Sequence, residues 1–135
     1  MKSIFPNEIV FKELTRTAQE AATQIGCKVA QIAKSLIFKD ETGQPVLVIA
    51  SGVNRVDEKK LGLQKADADF VKEKTWMVIG GVAPWGHKEK FKTYIDIDLG
   101  KYDKIWASSG KNNAVFETSM DELIQMTEGE VRKIN

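Results

Sequence analysis

The 135 residues make one domain that can bury its own apolar core, with no disulfide or metal staple needed at that length. Twenty Lys+Arg against nineteen Asp+Glu give a net charge of +1, which excludes a globally basic nucleic-acid coat and an acidic solvating tail but leaves room for a local basic groove. One cysteine, Cys27, and one histidine, His87, exclude a disulfide framework, a cysteine-rich zinc site and a multi-histidine metal centre. No metal or other cofactor is expected. No apolar run approaches the roughly 20 residues of a membrane span, and residues 1–6 lack a signal-peptide apolar core. A cytoplasmic protein without a membrane partner is the default expectation.

In chain order, residues 9–11 are β-branched and aromatic and predict a first strand. Ala18, Ala21, Ala22 and Ile25 fall at helical spacing, with Thr17 and Glu20 as a capping box and Gly26 as the stop. A short second helix is predicted over 28–33, with Val29 and Ile32 inward. Strands over 35–38 and 45–50, joined by a polar turn, read as a hairpin. Asp57 and Asp67 are placed to cap two short helices. Residues 76–79 predict a buried strand ending in Gly80 and Gly81. Further strands are predicted over 94–97, 104–107 and 114–117. Ser119 and Glu122 form a second capping box for a helix carrying Leu123 and closed by Gly129, and 131–134 predicts a last strand. Hairpins mixed with helical crossovers imply a single α/β domain over 1–135, its mixed β-sheet partly closed toward a barrel with surrounding helices.

Three loops and one lysine carry the candidate chemistry. Gly80, Gly81, Val82, Ala83, Pro84, Trp85, Gly86 and His87 follow a predicted strand. Two glycines permit close approach of a ligand, and successive amides in such a turn can hold an anion or an oxyanion. His87 titrates near neutral pH when unperturbed. The other reading is an ordinary glycine-rich turn with an exposed histidine. Trp85 has two readings as well, a platform for a base or a cover for the core. Lys34, with Ser35 beside it, is placed at a helix-to-strand junction, either reaching a phosphate or snorkelling at the helix end. Ser51 and Gly52 follow the strongest strand. Ser108, Ser109, Gly110 and Asn113 follow another, and α/β folds place ligands at such strand ends. Asp96 and Asp98 would share one face of a strand, as a solvated edge or as metal ligands. Cys27 reads as an incidental thiol. Lys72, Lys74, Lys88, Lys90, Lys92 and Lys111 are interspersed with acids and read as solvated surface.

Four ordered blocks together resemble the YbaK/prolyl-tRNA synthetase-associated editing domain family. They are Thr15-Arg16-Thr17 leading into Glu20-Ala21-Ala22 and on to Gln31-Ile32-Ala33-Lys34-Ser35-Leu36-Ile37-Phe38; Ala50-Ser51-Gly52-Val53-Asn54-Arg55-Val56-Asp57; the loop bounded by Gly80 and Pro84; and residues 103–106 with Ser108, Ser109, Gly110 and Asn113. The resemblance spans nearly the whole chain. It implies a mixed, partly closed α/β sheet and a deacylase that hydrolyses mischarged aminoacyl-tRNA. Such editing is needed where a pocket cannot reject a smaller or near-isosteric amino acid.

The resemblance further implies that Lys34 is the essential lysine and that residues 80–84 form the substrate loop. The expected catalytic set is Lys34, Gly80, Gly81 and His87. The expected substrate contacts are Ser35, Ser51, Gly52, Val82, Ala83, Pro84, Ser108, Ser109, Gly110 and Asn113. The implied partners are the 3′ end of an aminoacyl-tRNA and an aminoacyl-tRNA synthetase; family members differ over cysteinyl, alanyl and prolyl esters, and cysteine or alanine on proline-type tRNA is the expected substrate. The competing class is a binding module that holds a tRNA end or a small ligand without turnover.

Overall fold

A run of apolar residues long enough to be buried on both faces sets the centre of the sheet. The computed structural model describes residues 7–12, 17–75, 77, 82–85, 87, 90–111 and 113–135. Strands β1 (Glu8–Val10), β2 (Ile32–Lys39), β3 (Pro45–Ser51), β4 (Gln64–Lys65), β5 (Lys92–Asp96), β6 (Ile105–Ser108), β7 (Ala114–Thr118) and β8 (Glu130–Arg132) form one sheet. The order is β1-β7-β6-β2-β3-β5-β8, with β4 on β2. The β2–β3, β6–β7, β1–β7 and β2–β4 pairs are antiparallel, whereas β2–β6, β3–β5 and β5–β8 are parallel. This is the expected mixed α/β sheet. Among the described residues β1 and β8 stay at opposite edges, so the sheet is not closed.

Residues 46–51 of β3 are all buried. One face of the sheet carries Leu47, Ile49, Ile95, Ile105 and Phe116. The other carries Phe38, Val46, Val48, Ala50 and Tyr94. A central strand covered on both sides reads as a continuous apolar run rather than an alternation.

Helices α1 (Ala18–Ile25), α2 (Glu58–Leu61), α3 (Ala68–Thr75) and α4 (Met120–Thr127) begin where their caps predict. The hydroxyl of Thr17 accepts from the Glu20 amide at 3.1 Å and that of Ser119 from the Glu122 amide at 3.2 Å. Asp57 accepts from the Lys60 amide and Asp67 from the Phe70 amide. Each satisfies an amide that the first helical turn leaves without an internal partner. Gly26 closes α1 in the left-handed conformation at φ 84°.

Several expectations are corrected. The helix over 28–33 is only a 3₁₀ turn, Val29–Gln31, and β2 begins at Ile32 because Ile32 and Ala33 pair with Trp106 and Ala107. Lys34 therefore lies inside a strand. The strand expected over 94–97 runs instead over 92–96, and a 3₁₀ turn, Ile97–Lys101, takes Asp98 out of it. Glu128, not Gly129, adopts the left-handed cap of α4, at φ 55°. Gly129 answers a packing need instead, since a Cβ there would stand 2.9 Å from Thr127 Oγ1 and 3.0 Å from Ile95 Cδ1. The strand expected over 76–79 and the following Gly80 and Gly81 lie outside the described residues, Met77 apart.

Candidate active site

β2 and β3 carry the site. Lys34 is the third residue of β2 and pairs with Ala50 on β3. It is half-buried in the wall of a cavity of about 500 Å³, a size that accepts a small organic ligand. Burial pushes the Lys34 ammonium below its ordinary 10.5, the Arg55 guanidinium acts in the same direction, and Asp96 opposes both.

Five of the expected residues meet at this cavity: Lys34, Ser35, Gly52, Val82 and Ser108. Ser35 is buried, and its hydroxyl has no hydrogen-bond partner among the described residues. Gly52 is fixed by its amide, which donates to Ile32 O at 2.8 Å. A Cβ there would collide with the carbonyl oxygen of Val29 and lie 2.9 Å from the Ala18 methyl. Glycine is thus what lets the turn after β3 pass under α1. The Ser108 hydroxyl donates to Lys111 O at 3.0 Å and accepts from the Gly110 amide at 3.3 Å, folding its loop over the cavity rim.

The other described members of the expected set do not line this cavity. Ser51 is wholly buried and structural: its hydroxyl donates to Ala30 O at 2.8 Å. Asn113 ties its loop to the chain beyond β1, donating to Phe11 O while its own carbonyl accepts from Phe11 N. Ala83 is buried and its amide faces the Met77 sulfur at 3.3 Å. Gly110, left-handed at φ 98°, lies against the same Met77. Ser109 is buried with its hydroxyl unpartnered among the described residues.

Pro84 and His87 line a second cavity of about 160 Å³, with Phe91, Thr93 and Thr127. The His87 ring lies 5.0 Å from the Phe91 ring, and burial lowers its pKa below the ordinary 6.5, partly offset by a backbone hydrogen bond with Ala83. The structure therefore does not bring His87 and Lys34 to one cavity. Trp85 packs edge-on against Phe116 at 5.1 Å, which is the core-covering reading. Gly80 and Gly81 lie outside the described residues.

Two groups at the site escape a local reading of the sequence. Thr17, the cap of α1, with Ala18 and Gln19 of α1 and Trp106 of β6, completes the cavity wall. Asp96 is the second. It is wholly buried, its Oδ2 accepts from Ser51 N at 2.9 Å and Asn54 Nδ2 at 2.8 Å, and its Oδ1 accepts from Asp98 N at 2.9 Å. It is not part of a solvated edge. Among the described residues no group of three or more His, Cys, Asp or Glu could hold a metal ion.

The fold and the cavity define a small α/β domain with a half-buried lysine in the wall of its cavity of about 500 Å³. The model of the aminoacyl-tRNA editing domain matches residues 12–126, and the chain belongs to that family. It is 30% identical to the uncharacterized protein YwhH of Bacillus subtilis, over 87% of this chain and 78% of that one. It is 27% identical to EbsC of Enterococcus faecalis, a candidate Cys-tRNA(Pro)/Cys-tRNA(Cys) deacylase, over 94% of this chain and 82% of that one. It superposes with a TM-score of 0.88 on a candidate trans-editing enzyme for prolyl-tRNA synthetase, at 37% identity, covering 95% of this chain and 85% of that one. Among the described residues no helix is long and apolar enough to cross a membrane.

Proposed function

We propose that the protein is a trans-acting aminoacyl-tRNA deacylase of the cytoplasm, which hydrolyses cysteinyl or alanyl esters on proline-type tRNA. The observation that carries this reading is a half-buried lysine in the wall of a cavity of about 500 Å³, in a chain of the editing-domain family. The substrate class follows the names of its relatives, a candidate Cys-tRNA deacylase and a candidate trans-editing enzyme for prolyl-tRNA synthetase.

The 3′ end of the tRNA enters the cavity, and the Lys34 ammonium donates to the terminal phosphate or to the 3′-adenosine, a charge-assisted contact that fixes the ester. Trp106, half-buried in the wall, offers a face for the terminal adenine. Water adds to the ester carbonyl, and the amide of Val82, the substrate-loop residue at the cavity wall, holds the oxyanion that forms. The tetrahedral intermediate then expels the ribose oxygen, which takes up a proton, leaving a free amino acid and an uncharged tRNA. An aminoacyl ester is already activated, so positioning supplies most of what is needed. His87, which lines a separate cavity, has no step in this reading.

The test is a panel of mischarged tRNAs, including cysteinyl- and alanyl-tRNA for proline, offered to the wild-type protein. Selective release of one amino acid supports the reading and names the substrate. Binding of tRNA without release from any member contradicts it and favours a binding module.

A further inference from the structure

Asp96 closes β5 with a full carboxylate at zero exposure. Capping the 3₁₀ turn that follows needs only the contact to Asp98 N. The other oxygen is directed to the turn after β3, where it takes Ser51 N and Asn54 Nδ2. Asn54 is held from the other side by Asp98 Oδ2 at 2.7 Å. That turn carries Gly52, a wall of the cavity. The carboxylate also shares a sheet face with Lys34. Lys34 pairs with Ala50, and the ladder that pairs Ile49 with Ile95 sets Ala50 level with Asp96.

We propose that Asp96 is a positioning residue of the deacylase site, which clamps the Gly52 turn through Ser51 and Asn54 and balances the charge of Lys34 across Ala50. This rests on the reading of Lys34 as a working cation. Among the described residues, few charged groups act on Lys34 or share its cavity. Arg55 comes from the segment after β3, Asp96 from β5 and Lys111 from the β6–β7 loop, while α1 presents the uncharged Thr17 and Gln19. Among these Asp96 alone is anionic. A buried carboxylate with three N–H donors is already well solvated by the protein, so its charge can act on its surroundings without a direct ion pair.

The experiment follows the Lys34 side-chain nitrogen by NMR titration in the wild type, Asp96→Asn and Asn54→Ala, alongside deacylation kinetics. Asp96→Asn is expected to move the Lys34 titration to lower pH and to lower kcat/KM by about tenfold. Asn54→Ala keeps the carboxylate. It is expected to leave the Lys34 titration in place and to raise KM about threefold or more with little change in kcat. Lys34 titrating identically in Asp96→Asn and the wild type would overturn the proposal, whether or not any tRNA is hydrolysed. If Asp96→Asn does not fold, wild-type KM in Asn54→Ala overturns it. A wild type without deacylase activity would instead defeat the functional reading, and the titration would still decide the pairing of Asp96 with Lys34.

Discussion

Lys34 on β2 and Asp96 on β5 stand in one cross-strand row, with the fully buried Ala50 of β3 between them. Two strand spacings separate them, roughly 10 Å. Ala50 and Asp96 are both wholly buried, so little water lies between the two charges to weaken their interaction.

The turn that follows β3 has no room for a side chain at Gly52. Gly52→Ala forces a methyl against the Val29 carbonyl and the Ala18 methyl, both of which belong to packed backbone or helix. Overpacking of this kind costs about 1–3 kcal/mol. Urea unfolding at neutral pH is expected to show that loss, and deacylation is expected to fall as α1 is pushed from the cavity.

Lys111 is exposed at the cavity rim, where its backbone carbonyl accepts from Ser108. If it neutralises one phosphate of a single-stranded 3′ end, Lys111→Ala reduces the slope of log K against log salt by about 0.7. Titrations of tRNA binding at several salt concentrations measure that slope. An unchanged slope places the tRNA backbone elsewhere.

His87 is depressed by burial, so the folded state holds its proton less tightly than the unfolded state. The unfolded chain takes up the proton first as pH falls below 6.5. The stability contributed by neutral His87 is therefore full above that value. It declines as pH drops toward the lower folded value, where the loss levels off. Unfolding free energies at pH 7.5 and 5.5 are expected to differ more for the wild type than for His87→Gln. Because the ring lines the second cavity, His87→Gln is expected to retain deacylation within about threefold of the wild type.

What the sequence makes legible is what is local. Thr17, Asp57, Asp67 and Ser119 are read correctly as caps because a cap and its amide lie three residues apart. The start of β2 is misplaced because the pairing that extends it, Ile32 with Trp106, joins segments more than seventy residues apart. The same distance hides Trp106 as a wall of the cavity. Asp96 looks like a surface acid because nothing near it in sequence reveals the backbone amide of Ser51 that it meets. Family resemblance names Lys34, Ser35, Gly52, Val82 and Ser108 within a larger expected set, and these are the members that line the cavity. It does not separate them from Ser51 and Asn113, which hold the framework.

Lys34 is the residue on which the account turns, and single-turnover release of cysteine or alanine from proline-type tRNA by Lys34→Ala tests it most directly. The account predicts a loss of about a hundredfold or more, with circular dichroism and thermal unfolding showing a native fold. A folded Lys34→Ala that releases the amino acid at the wild-type rate would contradict it.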